Sequence, residues 1–206
     1  MLLRIAAAVA VLLGVTVLML YLDEVSFAPW STPPERHLRT MKERTLKPTR
    51  YDTITFAGML ALPHDRPLAE YAPIEQRAVT LEGYVQRMVH APDGDIHLDV
   101  ADSLAADGHL VPFLSAEMTP QWHNDSSRWR FERLVALFRP YAGGPRRWDL
   151  PPRRARLSGY LMYDYPHEDE RPSFGFPPHA TRWELHPVTR VETWDDSVGR
   201  YVEFPR

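Results

Sequence analysis

The chain has no cysteine among its 206 residues. Disulfides, thiolate metal ligands, a cysteine nucleophile and a cysteine-linked lipid are therefore excluded, whatever the redox compartment. A surplus of positive charge is also missing. The formal net charge is −3, with 24 Lys and Arg against 27 Asp and Glu, so no global field draws the chain to nucleic acid. Short motifs that would name a reaction are absent as well: there is no G-x-S-x-G, P-loop, H-E-x-x-H or dinucleotide fingerprint. What is plentiful is proline. Its 20 residues are about twice the usual ~5%. Proline disfavours long helices and suits strand ends and turns, which points to a β protein with many short connections. At 44% hydrophobic and 25% charged residues, the chain has enough apolar matter for one ordinary core.

Residues 5–22 carry no charge. As a helix at ~1.5 Å per residue they reach roughly 27 Å, close to the ~30 Å hydrocarbon core of a bilayer. The reading is a transmembrane anchor or signal over 1–22. Ser26-Phe27-Ala28 makes a poor cleavage site between Asp23-Glu24 and Pro29, so a retained anchor is expected. Its partner is the membrane through residues 5–22, giving a single-pass membrane protein with an extracytoplasmic soluble domain. A proline-rich linker follows over 23–76. Thr32-Pro33-Pro34-Glu35 starts a short helix within it, and residues 51–76 read as loop with at most one turn of helix.

From Arg77 the apolar period becomes two. Val79, Leu81, Gly83 and Val85 mark strand one, and Ile96, Leu98 and Val100 mark strand two beyond the Ala91–Gly94 turn. Residues 109–118 form strand three. Phe131, Leu134, Val135 and Phe138 fall on one helix face. Leu157, Gly159, Leu161 and Tyr163 mark strand four; Trp183, Leu185, Pro187, Thr189 and Val191 mark strand five. The fold class is mainly β: a five-stranded OB-like Greek-key barrel over 77–195, with one helix between strands three and four, preceded by the N-terminal transmembrane helix. Gly83 and Gly159 suit its tight bends. Residues 196–206 are left as a tail.

Asp95-Ile96-His97-Leu98 and Glu184-Leu185-His186-Pro187-Val188 resemble signatures of uncharacterised bacterial OB-fold-like domains, which carry D-x-H-L and E-x-H-P-V segments. The resemblance covers roughly residues 77–194. It implies the fold and no known activity.

Three groups of residues are candidates for function. Asp95 and His97 stand two apart and share a strand face, as do Glu184 and His186. Such pairs offer nitrogen and oxygen ligands to a divalent ion, a general acid and base, or structural hydrogen bonds along the barrel seam. The structural role is the expectation, because strand three separates strands two and five. The loop over 166–180 holds His167, Glu168, Asp169 and Glu170, then Phe174 and Phe176. Finally, Arg146, Arg147, Arg153, Arg154 and Arg156 cluster around Trp148 as a basic patch of the kind that binds single strands. Asp95, Asp99, Glu184 and Arg190 are the residues a hydrolase would draw on. The functional expectation is a membrane-anchored OB-like binding module for a protein, polysaccharide or small ligand, without catalysis or cofactor. Two alternatives stand beside it: a metal-assisted hydrolase using Asp95/His97 and Glu184/His186, and a single-stranded nucleic-acid binder using the arginines.

Overall fold

The computed structural model describes residues 11–15, 18, 32–91, 93–123, 131–138, 151–165 and 178–204. The chain divides into two units, 1–33 and 34–206. In the first, residues 11–15 and 18 are helical. Among the described residues no helix is long and apolar enough to cross a membrane. This corrects the expectation of a single-pass membrane protein with an extracytoplasmic domain.

In the second unit, alternating apolar residues build a closed barrel. Its strands are β2 (Ala78–His90), β3 (Ile96–Ala101), β4 (Leu114–Met118), β5 (Arg153–Tyr163) and β6 (Trp183–Asp195). β2 pairs antiparallel with β3, and β3 with β4. β4 pairs in parallel with β6, β6 antiparallel with β5, and β5 antiparallel with β2, which closes the ring. This is the strand order of an OB barrel. Strand β2 serves two neighbours, with its first half on β5 and its second on β3. It bends between them at Gly83, where an added Cβ would lie 2.6 Å from Val100 Cγ1 and 2.7 Å from the Ala101 oxygen. Gly159 makes the same close approach to Pro187. Both glycines sit where backbones crowd at barrel corners.

Inward positions Leu81, Val85, Ile96, Leu98, Leu161 and Leu185 are all buried, as the alternation requires. Each such side chain contributes about 1.5–3 kcal/mol of burial. Helix α5 (Phe131–Phe138) adds Leu134 to this core, with Val135 and Phe138 packed at its margin. The short α4 (Pro120–His123) precedes it. The cap candidates 124–127 lie outside the described residues.

The linker is more structured than expected. Helix α1 (Pro33–Lys42) starts where Pro33 placed it. Strand β1 (Asp52–Ile54) then pairs in parallel with Val79–Leu81 of β2. Helix α2 (Phe56–Leu60) is capped by the Thr55 hydroxyl, which accepts from the Gly58 N–H at 3.0 Å. Helix α3 (Leu68–Glu75) contains Pro73 and buries Tyr71, stacked on Tyr163 at 4.1 Å and edge-on to Trp183 at 5.3 Å. The expected tail is corrected too. Asp195 Oδ1 accepts from the Ser197 N–H at 3.0 Å and tightens a turn, and β7 (Arg200–Phe204) returns along Val191–Asp195.

Candidate functional site

The register of three strands brings the two carboxylate–histidine pairs together. His97 on β3 lies opposite Glu117 on β4. Ala116 of β4 lies beside Leu185 of β6. Because Ala116 and Leu185 point inward, Glu117, Glu184 and His186 share the outer face. Asp95 arrives from the turn before β3, where the Ala91 N–H donates to the Asp95 oxygen at 2.8 Å.

The Glu117 carboxylate bridges the histidines. Oε1 lies 3.1 Å from His97 Nδ1, and Oε2 lies 3.2 Å from His186 Nδ1. Ser115 Oγ donates to Oε1 at 2.9 Å. On the other side of the His186 ring, Nε2 is 3.3 Å from Asp95 Oδ2, and Glu184 Oε2 is 3.5 Å from Nδ1. These are ion-pair distances, but the oxygens lie off the directions the ring nitrogens need. Neither nitrogen of His186 has a hydrogen-bond partner, and neither do Glu117 Oε2 and His97 Nε2. His186 is 0% exposed, Glu117 and Glu184 3%, and Asp95 4%.

Lys42, the last residue of α1, adds a cation. Its Nζ stands 3.4 Å from Asp93 Oδ2 and 3.6 Å from Asp95 Oδ2. Arg44 fixes the segment after α1 over the barrel. Its guanidinium donates to the main-chain oxygens of Met41 at 2.8 Å, Glu75 at 2.7 Å and Leu161 at 3.1 Å, and to that of His186. The Arg44 oxygen in turn accepts from Trp122 Nε1 at 2.8 Å. A second tie joins His37 Nε2 to Glu75 Oε2 at 2.6 Å, while Glu75 Oε1 accepts from the Tyr163 N–H.

Burial and mutual charge divide the protons of this cluster. Burial alone would depress His186, but the Glu117 charge, with Asp95 and Glu184, lifts it to about 9. Burial raises both glutamates. The charges of His97, His186 and Lys42 reverse that for Glu117, which falls below the usual carboxylate range. Glu184, facing Glu117 and Asp164, is pushed up. Of the two glutamates, Glu184 is the one that keeps a proton at neutral pH.

Glu117 and Lys42 escaped the sequence reading. Glu117 had a signal: Leu114, Ala116 and Met118 alternate inward, which turns Ser115 and Glu117 to the face of His97. Lys42 had none, since only the tertiary placement of α1 brings it near.

The other candidates fall elsewhere. His167, Glu168 and Asp169 lie outside the described residues, as do Arg146 and Arg147. Arg154 and Arg156 on β5 both bind Glu82 of β2, Arg156 at 3.1 Å. Their guanidinium groups also stack on aromatic rings, Arg156 3.9 Å from the Tyr201 centroid and Arg154 4.8 Å from that of Trp194. Arg153 donates to the Leu137 oxygen at 3.0 Å. Arg190 joins Glu192 and Glu203, and Asp99 joins Arg87, so the hydrolase set of Asp95, Asp99, Glu184 and Arg190 does not assemble around one point.

No family model and no curated protein matches the chain. Among solved structures, an Entamoeba histolytica asparaginyl-tRNA synthetase is 11% identical with a TM-score of 0.38, over 76% of this chain and 25% of that one. Its complex with asparaginyl-adenylate gives 11% and 0.39 over the same shares. A putative aspartyl-tRNA synthetase from Leishmania major Friedlin gives 8% and 0.37, over 73% of this chain and 22% of that one. The chain thus spans about a quarter of the length of these proteins. The OB assignment rests on the strand order and register described above.

Proposed function

We propose that the chain is a non-catalytic binding module built on an OB barrel. The observation that carries this reading is the closure of its most reactive cluster. A general acid or base must come within about 2.6–3.2 Å of the proton it moves. His186, Glu117 and Glu184 are buried, with Lys42 near them and Arg44 tying the segment after α1 to the His186 oxygen. A substrate atom would reach them only if that segment left. The purified full chain is therefore expected to turn over none of a panel of phosphodiester, carboxylic-ester and glycoside reporters. A turnover that disappears in Glu184→Gln would overturn the reading.

One observation favours single-stranded nucleic acid as the ligand. Arg154 and Arg156 are partly exposed and stacked on Trp194 and Tyr201, and cations interleaved with aromatic rings suit stacked bases along a phosphate chain. Glu82 opposes it by holding both guanidinium groups. A fluorescent oligothymidylate measured by anisotropy separates the cases. Binding that weakens with salt and falls at least tenfold in Tyr201→Ala supports nucleic acid. No binding at low salt directs the search to uncharged ligands on the same face.

A further inference from the structure

We propose that Asp95, Glu117 and His186 form a closed site for a divalent transition-metal ion of the zinc class, with the Lys42 ammonium as the competing cation. The inference does not depend on the ligand of the binding module.

One donor atom from each of the three residues lies within 4.8 Å of the other two. Ligands on a common zinc at ~2.0–2.2 Å stand at most ~4 Å apart, so a contraction within reach of side-chain rotation completes the set. The donors are one imidazole and two carboxylates, a combination that suits borderline ions. Glu184 Oε2, 3.5 Å from His186 Nδ1, would join as a fourth donor on losing its proton.

Carboxyl groups near a histidine do not alone make a site. The second observation is the lack of hydrogen-bond partners on the donors themselves. His186 is fully buried with neither ring nitrogen hydrogen-bonded, although carboxylates stand 3.2–3.5 Å away, and Glu117 Oε2 is buried without a hydrogen bond as well. A buried polar atom left without a hydrogen bond is costly. These three atoms meet at one cluster, and a metal ion would engage Glu117 Oε2 together with one of the two His186 nitrogens. The surroundings have the character of an outer ligand shell. Ser115 Oγ orients Glu117, and Arg44 holds the main chain of His186.

Charge points the same way. The carboxylates of Asp93, Asp95 and Glu117 gather around a single ammonium, which sits toward the Asp93 and Asp95 end. That ammonium repels an incoming cation and sets its affinity. The site is enclosed rather than open, as structural metal centres are, so the ion would fasten the turn before β3 to β4 and β6.

Cobalt(II) is the probe, because its visible bands report ligand geometry, with zinc as competitor. The full chain should bind one cobalt per chain, zinc should displace it, and the melting temperature should rise. Glu117→Gln should weaken binding at least tenfold. Lys42→Gln, at a partly exposed position on α1, should tighten it at least tenfold, and it keeps the test decisive if the Glu117 variant does not fold. The proposal is overturned if no saturable one-per-chain binding is found, or if Lys42→Gln leaves the affinity unchanged. It is equally overturned if a folded Glu117→Gln chain binds as the parent does, which would place the ion on other histidines.

Discussion

Glu117 faces His186 at 3.2 Å across the parallel pairing of β4 with β6. That contact makes one centre of two carboxylate–histidine pairs that lie on different strands. It also places a negative group and a positive one inside the protein, where each depends on the other.

The two buried glutamates should therefore behave differently. Glu117→Gln removes the carboxylate that both histidines face and should cost about 3–5 kcal/mol. Glu184 keeps its proton, so Glu184→Gln exchanges one neutral group for another and should cost below about 1 kcal/mol at neutral pH. Urea unfolding of both variants at pH 7 checks this. Equal losses would mean that the proton is not on Glu184.

Asp99 provides a pH dependence. Burial pushes its pKa up from 3.8 to about 6, although Arg87 draws it back. The folded chain then binds a proton more tightly than the unfolded chain. The stabilising effect of that proton is complete below pH 3.8 and is lost as pH rises through about 6. At 1.36 kcal/mol per unit the loss is about 3 kcal/mol. Unfolding free energies measured at close pH intervals should show this slope between pH 4 and 6 in the parent chain. Asp99→Asn should lose this share of the slope and keep the part that Glu184, also pushed up, contributes.

Arg44 is not replaceable by lysine. Its planar head serves the oxygens of Met41, Glu75, Leu161 and His186 together, and an ammonium cannot span that fork. Arg44→Lys should cost about 2–4 kcal/mol, given roughly 1.5–3 kcal/mol for a charged hydrogen bond. Amide hydrogen exchange should locate the damage in α1. A variant with unchanged protection there would show that other contacts hold the segment.

Leu98 tests the barrel register. It is fully buried on β3 between Met88 of β2 and Ala116 of β4. Leu98→Ala should cost about 2–5 kcal/mol in the same urea experiment. A loss below about 1 kcal/mol would imply that β3 is slipped by one residue.

The barrel was legible because half-buried strands write their alternation into the sequence, as Val79, Leu81, Ile96 and Leu98 do. Gly83 and Gly159 announced the bends. The convergence of Asp95, His97, Glu184 and His186 was not legible. It depends on β4 lying between β3 and β6 with a carboxylate at 117, and a face shared across strands leaves no local pattern. Prolines 63, 67 and 73 hid α3, since Pro73 argues locally for a break that Tyr71 and Glu75 override through burial against β5 and β6. The β6–β7 hairpin was not legible: with the barrel ending at Asp195 and 196–206 left as a tail, the turn that returns the chain as β7 went unpredicted.

The two short outer strands protect the barrel from its own kind. β2 leaves β5 for β3 near Val85, and the flank beside its first half is taken by β1. β6 meets β4 at only Leu185, and its far half is taken by β7. A long ladder with unmet N–H and C=O groups is a template for another molecule's strand, whereas a strand of three or five residues is a poor one. The chain therefore ends its sheet on β1 and β7, which are too short to nucleate stacking. Trimming either would expose the flank of a 13-residue strand and open it to edge-to-edge pairing with another molecule.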